Sequence, residues 1–194
     1  QGGGTGSDDA GGGMSAGTLE GRRYWIVGAS EGLGRAVAER LSRQGARLVL
    51  SARNAERLEA LAESLPGPAG AVALDIRDRA AVEAAAVRVG EIDGLVFLAG
   101  VYWPMNAADW NGEQVEAMFD VNLTGAARVL GAVVPGFVAR GSGHVVLVGS
   151  LSGFRGLPGA IGYAASKAGL MHLAEDLRAD LHRSAVRVQL VNPG

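Results

Sequence analysis

The chain has 194 residues, of which 48% are hydrophobic and 20% charged, so its composition is that of one folded domain and not of a disordered chain. A formal net charge of -2 without a long basic run argues against nucleic acid or an anionic membrane surface as a partner. Because cysteine is absent, disulfides, thiolate metal sites and a cysteine nucleophile are excluded.

Metal and membrane binding are not expected either. The three histidines lack metal-ligand spacing, so no metal site is predicted. The longest apolar stretch, around residues 126–139, contains Arg128 and Pro135 and is shorter than the roughly 20 residues that a membrane span needs. No signal peptide is recognisable. We therefore expect a cytoplasmic protein.

The chain divides into an extension and one domain. Residues 1–21 are rich in Gly, Ser, Thr and Asp and lack apolar periodicity, which predicts a flexible extension or linker. From residue 22 to residue 194, short apolar runs alternate with segments of helical periodicity. This alternation predicts a doubly wound parallel sheet with helices on both faces, an α/β Rossmann fold. The predicted strands span residues 24–27, 47–50, 71–74, 94–98, 144–148 and 186–191.

A glycine-rich turn, Gly28-Ala29-Ser30-Glu31-Gly32-Leu33-Gly34, joins the first predicted strand to the next helix. Glycines at such a junction allow backbone N–H groups and the helix N-terminus to approach a pyrophosphate. The spacing is GxxxGxG and not the general GxGxxG, so a tight turn without a ligand stays an alternative. We predict dinucleotide contacts from Gly28, Ser30, Glu31, Gly32, Leu33 and Gly34.

Arg53 follows the second predicted strand, about twenty residues after the glycine turn. An acidic residue at this place binds the ribose 2′-hydroxyl of NAD, whereas an arginine accommodates the 2′-phosphate of NADP. Arg53 therefore favours NADP(H), with NAD(H) as the second choice. The alternative is a solvated arginine at the start of the following helix.

Three residues are candidates for proton transfer. Tyr163 and Lys167 are four residues apart at the start of a helical pattern, so both side chains project from one helix face. A phenol has a reference pKa of about 10, and a neighbouring ammonium stabilises the phenolate, which makes Tyr163 a candidate general acid and base. Ser150 ends the fifth predicted strand, where its hydroxyl can bind a substrate carbonyl. A YxxxK pair alone is also common on surface helices.

Together these motifs resemble those of the short-chain dehydrogenase/reductase family, from about Arg22 to Gly194. The resemblance rests on the glycine turn, on Leu74-Asp75-Ile76, on Asp120-Val121-Asn122, on Ser150, on Tyr163-Ala164-Ala165-Ser166-Lys167 and on Asn192-Pro193-Gly194. It implies that Tyr163 exchanges the proton and Ser150 orients the carbonyl. It further implies that Lys167 holds the nicotinamide ribose and assists Tyr163, and that Asn122 positions a water in the proton relay.

The resemblance also implies further cofactor contacts and an assembly. Asp75 falls where the family contacts adenine, and the other implied contacts are Ile76, Ala99, Gly100, Asn122, Tyr163, Lys167, Pro193 and Gly194. Many family members are homodimers or homotetramers, which implies pairing through the helix around residues 112–140. Intrachain burial explains the same apolar pattern.

The sequence departs from the family pattern at two places. The segment after the fourth strand is Phe97-Leu98-Ala99-Gly100 where the family usually has Asn-Asn-Ala-Gly, a change that we expect to be tolerated. The sequence stops at Gly194, where family members usually continue with a substrate-covering loop, a helix and a final strand. We therefore expect a C-terminally incomplete domain without the last edge strand, which is either a fragment or is completed by another chain.

The predicted function is an NADP(H)-preferring oxidoreductase that transfers a hydride between nicotinamide and a small carbonyl or alcohol substrate. Tyr102, Trp103 and Phe154 follow strand ends and line either an apolar substrate pocket or a packed loop. The main alternative is a non-catalytic NADP-binding regulatory or scaffold protein. An epimerase or dehydratase on the same fold is a third alternative, which the glycine spacing favours less.

Overall fold

A computed structural model describes residues 19–193, so most of the predicted extension and the predicted cofactor contact at Gly194 lie outside the described residues. The strands are β1 (Arg23–Val27), β2 (Arg47–Ser51), β3 (Ala69–Ala71), β4 (Gly94–Phe97), β5 (Gly143–Val148) and β6 (Val186–Val191). Within the described residues they form one sheet in the order β3-β2-β1-β4-β5-β6, and every neighbouring pair is parallel. The predicted doubly wound α/β fold is confirmed.

Helices cover both faces of the sheet. They are α1 (Gly32–Arg43), α2 (Ala55–Ser64), α3 (Arg79–Val89), α4 (Gly112–Phe119), α5 (Gly125–Arg140) and α6 (Tyr163–Asp180). Helices α1 and α2 pack on one face, and α3, α5 and α6 pack on the other. Both faces of β4 are covered, so this strand is buried along its whole length, as the continuous apolar run Leu95-Val96-Phe97 requires.

The larger core lies between the sheet and the helices α3, α5 and α6. Trp25 of β1, Phe97 of β4 and Phe137 of α5 are almost fully buried there. Each such side chain contributes roughly 1.5–3 kcal/mol through the removal of apolar surface from water. The indole Nε1–H of Trp25 donates to the Ser51 hydroxyl at 2.9 Å, which satisfies the polar atom inside this core.

Side-chain caps start three of the helices and are missing from α1. The oxygens of Asn54, Asp78 and Asn111 accept hydrogen bonds from the backbone N–H three residues later, at the starts of α2, α3 and α4. Helix α1 begins after Glu31, whose side chain makes no capping hydrogen bond. The first N–H groups of α1 are therefore left to solvent or to a ligand.

Two boundaries differ from the sequence predictions. Strand β3 covers Ala69–Ala71, whereas the prediction was 71–74. The pairing with β2 nevertheless continues, because the N–H groups of Val72 and Leu74 donate to the carbonyls of Leu50 and Ala52. The packed part of the chain also includes Leu19, which is buried in the smaller core although residues 1–21 were predicted to lie outside the fold.

Helices α4 and α5 are joined by a π-helical turn, Asp120–Thr124, into one helical stretch, Gly112–Arg140. By length and composition this stretch is apolar enough to cross a membrane, a test that core helices of soluble proteins also pass. The sequence analysis predicted that the apolar stretch around residues 126–139 is too short to span a membrane. That prediction is wrong in length, because the stretch belongs to the longer helical segment Gly112–Arg140. Its buried residues, Val129, Val133 and Phe137 among them, pack in the larger core.

Candidate active site

A cavity of about 650 Å³ opens at the carboxyl ends of β1, β2 and β4. The order of the strands reverses between β1 and β4, and this crevice is where open α/β sheets bind ligands. Nine predicted cofactor residues line the cavity: Gly28, Ser30, Glu31, Leu33, Gly34, Arg53, Ile76, Ala99 and Gly100. The structure thus brings the glycine turn, the end of β2 and the segment after β4 to one place.

The glycine turn is packed too closely for other residues. A Cβ atom on Gly28 would lie 2.5 Å from the Ala99 nitrogen, and one on Gly34 would overlap the Gly28 carbonyl oxygen. Gly32 has a φ of 54° and faces open space, so nothing blocks the approach to the first turn of α1. An uncapped helix N-terminus beside a glycine turn suits the pyrophosphate of a dinucleotide, and the residues present fit such a cofactor.

Charged side chains surround the end of the cavity next to β2. Arg53, Arg57 and Arg77 line it together with Glu31. Asp75 was predicted to contact a cofactor, but it does not line the cavity and instead pairs with Arg77 at 2.6 Å. The hydrogen bond from Arg77 holds the pKa of the Asp75 carboxyl below its ordinary value.

Sequence reasoning missed both Arg57 and Arg77. Arg57 lies in the first turn of α2, four residues after the predicted Arg53, and Arg77 follows Asp75 by two residues. Their nearness to predicted contacts was the available signal. Arg57 lies at the cavity because the first turn of α2 packs beside the end of β2.

The predicted tyrosine and lysine lie in the first turns of α6, which begins at Tyr163. The Lys167 Nζ atom is 5.9 Å from the centroid of the Tyr163 ring and donates a hydrogen bond to the Val148 carbonyl at 2.9 Å. Lys167 is the only lysine in the chain and is 4% exposed. Burial lowers the pKa of its ammonium to about 8.

Ser150 follows the end of β5 by two residues, and its side chain is partly buried. Its Oγ accepts the Ser152 N–H at 3.2 Å and shares a hydrogen bond with the Ser152 Oγ at 2.8 Å. Ser152 is buried and was not predicted from the sequence. It orients the Ser150 hydroxyl at the carboxyl end of the sheet.

Asn122 lies in the π-helical turn and is fully buried. Its Oδ1 accepts the Val101 N–H at 2.7 Å, and its Nδ2 donates to the Val101 carbonyl and to the Ser166 Oγ, both at 3.0 Å. The Ser166 hydroxyl in turn donates to the Tyr163 carbonyl at 2.8 Å. The Asn122 side chain therefore ties the segment after β4 to the start of α6.

Gly100 lies where the cavity adjoins the residues that were predicted to transfer the proton. It lines the cavity, and a Cβ atom there would lie 3.3 Å from the Asn122 Oδ1 and 3.6 Å from the Lys167 Nζ. The departure from the family pattern before it is accommodated, because Phe97 is buried in the core and the N–H groups of Leu98 and Ala99 donate to the Val27 carbonyl.

The remaining predicted residues lie around this centre. The Tyr102 ring is 4.7 Å from the Tyr163 ring, and its hydroxyl donates to the Gly159 carbonyl at 3.2 Å. Trp103 and Phe154 are exposed, and Pro193 is exposed and does not line the cavity. Among residues 19–193, no three acidic or histidine side chains form a group that holds a metal ion.

The fold and this site define an α/β protein with a cavity that is lined by the glycine turn and lies beside a tyrosine–lysine pair. The family model of the short chain dehydrogenases matches residues 23–194. The chain therefore belongs to the short-chain dehydrogenase/reductase family, and it is an oxidoreductase of that family. This confirms the resemblance that the motifs indicated.

Individual relatives agree with this assignment. An uncharacterised oxidoreductase of Myxococcus xanthus is 41% identical over 180 residues, which cover 89% of this chain and 71% of the relative. A sulfoacetaldehyde reductase of Chromohalobacter salexigens is 38% identical over 178 residues, covering 88% of this chain and 70% of the relative. A metagenomic short-chain oxidoreductase, solved in complex with NADP, is 35% identical with a TM-score of 0.85, and the match covers 91% of this chain and 83% of that one.

Proposed function

We propose that the protein is an NADP(H)-preferring oxidoreductase that acts on a carbonyl or alcohol group of a small molecule. The observation that carries the proposal is Gly100, which lines the nucleotide cavity and packs beside Lys167 and Asn122. When bound, the nicotinamide cofactor supplies or accepts the hydride.

The chain's own residues handle the proton. In the reducing direction the Tyr163 hydroxyl gives its proton to the substrate oxygen, and in the oxidising direction it takes the proton back. The Ser150 hydroxyl donates a hydrogen bond to the same oxygen, where negative charge develops. The Lys167 ammonium lies 5.9 Å from the centroid of the Tyr163 ring, so a positive charge lies beside the residue that exchanges the proton.

Replacing the tyrosine tests the catalytic assignment. Tyr163→Phe removes the exchangeable proton and keeps the ring, so we expect turnover to fall by roughly 10²–10⁴-fold, the usual contribution of general acid–base catalysis. NADPH binding, measured by fluorescence titration, is expected to stay within about twofold of the wild type, because the cavity lining is unchanged.

The matched control is Tyr24→Phe. It removes a hydroxyl near the amino ends of the strands, where the Tyr24 hydroxyl forms a hydrogen bond with His144. Turnover is followed as NADPH oxidation across a panel of aldehydes and ketones. Equal turnover by Tyr163→Phe and wild type would refute the role of Tyr163. NADPH binding without turnover of any compound by the wild type would favour the scaffold alternative.

The proposed preference for NADP(H) is supported by Arg53, an exposed residue at the cavity. Two similar proteins were solved with this cofactor, the metagenomic oxidoreductase and a serine dehydrogenase complexed with NADP+. We expect Arg53→Asp to reverse the ratio of the NADPH and NADH dissociation constants, since an aspartate accepts the ribose 2′-hydroxyl and repels a phosphate. If wild type and variant bind each cofactor equally well, Arg53 does not set the preference.

A further inference from the structure

Arg128 of α5 reaches back to the first residue of the π-helical turn Asp120–Thr124. Its Nη1 donates to the Asp120 Oδ1 at 2.7 Å and to the Ile76 carbonyl at 3.3 Å. Side chains that meet on a regular α-helix are three or four residues apart, whereas Asp120 and Arg128 are eight apart. The ion pair therefore spans the whole π-helical turn and ties it to Ile76, which lines the cavity.

The burial of Arg128 is not explained by folding stability. Among the ion-paired arginines of residues 19–193 its side chain is the least exposed, at 17%. Its Nε–H is buried and has no hydrogen-bond acceptor in the part of the chain that the structure describes. A buried donor without an acceptor destabilises the folded state, and a buried ion pair adds little net stability. The position of the pair points to an effect on the turn that it spans.

The π-helical turn determines where Asn122 points. The Gly125 N–H donates to the Asp120 carbonyl, five residues earlier, instead of to a carbonyl four residues earlier as in an α-helix. Relaxation to the α-helical pattern would shift the turn by roughly one residue, which is a rotation of about 100°. Such a rotation would carry the Asn122 Oδ1 away from the Val101 N–H, which it accepts at 2.7 Å.

We propose that Arg128 is a positioning residue for the proposed reaction. With Asp120 it forms a clamp that keeps the π-helical turn in the register in which Asn122 bonds to Val101. Through this bond the clamp fixes Gly100, which precedes Val101 and lines the cavity. The inference rests on the proposed function, and it adds a residue that does not itself line the cavity.

Asn122 passes the effect of the clamp to the proton-transfer residues by two routes. A Cβ atom on Gly100 would lie 3.6 Å from the Lys167 Nζ, so a shift of Gly100 changes the surroundings of that ammonium. The Asn122 Nδ2 donates to the Ser166 Oγ, and the Ser166 hydroxyl donates to the Tyr163 carbonyl. Displacement of Asn122 therefore disturbs the supports of both Tyr163 and Lys167.

Hydrogen exchange of the Val101 amide, followed by NMR, tests the clamp without turnover. The bond to Asn122 protects this amide, so its exchange becomes faster when the bond opens. We expect Arg128→Met to speed the exchange roughly tenfold relative to the amide of Leu147, a core residue of β5. Arg128→Lys keeps a charged donor for Asp120 and is expected to stay within about threefold of the wild type.

The same variants separate kcat from cofactor binding. In Arg128→Met we expect kcat of NADPH-dependent reduction to fall by roughly tenfold, because Asn122 no longer supports the proton-transfer residues. The NADPH dissociation constant is expected to stay within about threefold, since Arg128 lies outside the cavity lining. Arg128→Lys is expected to recover most of kcat. A residue that only stabilised the fold would leave kcat per folded molecule unchanged.

Arg140→Met is the matched control, because Arg140 lies at the other end of the same helix. Its side chain is 29% exposed, pairs with Glu91 at 3.9 Å and donates to the Ile92 carbonyl. The control thus loses an ion pair and a bond to a carbonyl, as Arg128→Met does. It is expected to change neither kcat nor the exchange of the Val101 amide relative to the reference amide.

Asp120→Asn tests the clamp from its more exposed end, so the clamp stays testable if Arg128→Met does not fold. A neutral amide oxygen accepts a weaker hydrogen bond from a guanidinium than a carboxylate does. We therefore expect the exchange of the Val101 amide to become roughly threefold faster.

The outcomes separate the clamp from the proposed function. Unchanged exchange of the Val101 amide in Arg128→Met and Asp120→Asn, or an equal rise in Arg140→Met, overturns the clamp whatever the turnover. Faster exchange with an unchanged kcat overturns its role in the reaction. If the wild type reduces no carbonyl compound while Arg128→Met and not Arg140→Met exchanges faster, the proposed function is contradicted and the positioning of Asn122 by Arg128 is supported.

Discussion

Lys167 combines a charge with almost complete burial. Its ammonium makes one hydrogen bond to protein within the described residues, to the Val148 carbonyl, and burial lowers its pKa from 10.5 to about 8. Between these two pH values the unfolded chain binds more protons than the folded chain, so stability rises with pH. The cost of burying the ammonium is about 3 kcal/mol below pH 8, since one pKa unit corresponds to 1.36 kcal/mol.

Because the chain has a single lysine, its titration can be followed directly. In protein labelled with 13C-lysine, we expect one side-chain resonance that titrates with a midpoint near pH 8. The free energy of unfolding of the wild type, from urea titrations, is expected to rise by about 3 kcal/mol between pH 8 and pH 10.5 relative to Lys167→Met. A midpoint near 10.5 and parallel stability profiles would show that the ammonium is solvated.

The turn between β1 and α1 depends on glycine at two places where backbone segments touch. Gly34 lies in α1, and an added Cβ would overlap the carbonyl oxygen of Gly28. Backbone atoms cannot move aside as a flexible side chain can. Any residue other than glycine at position 34 would therefore disrupt this close packing and displace the residues that line the cavity.

Two Gly→Ala substitutions in helices are expected to have opposite effects. Gly34→Ala lowers the free energy of unfolding by about 1–3 kcal/mol, because the new methyl group forces the turn apart. Gly131→Ala in α5 raises it by about 0.5–1 kcal/mol, because nothing lies within 4 Å of the added Cβ and alanine is the better helix former. Urea unfolding of both variants measures the two effects. A stabilising Gly34→Ala would mean that the turn is looser than described.

On the scale of the whole molecule, the sheet order assembles the site. Strand β1 lies between β2 and β4, so the glycine turn, Arg53 and Gly100 meet at the carboxyl ends of three adjacent strands. Strand β5, on the other side of β4, brings Ser150 to the same edge of the sheet. Residues more than a hundred positions apart in the chain thus share one site.

Much of the site was predictable because its motifs sit at strand ends. The periodicity located six strands, and five of them agree with the structure within about one residue. The prediction placed β3 too late in the chain. Val72 and Leu74 are apolar, and their N–H groups continue the pairing with β2 after the regular strand has ended. The cavity lining contains five predicted residues of the glycine turn and Arg53, but it includes neither Gly32 nor Asp75.

The sequence by itself determined the order of strands and helices, the glycine turn and the spacing of Tyr163 and Lys167, since these depend on local periodicity and on neighbours along the chain. The tertiary structure alone decided which polar groups meet. It turned Asp75 toward Arg77, buried Asn122 against Val101 and Ser166, and brought Arg57 to Glu31 across the cavity. Such contacts join separate elements, and only the packing of helices on the sheet sets the distances between them.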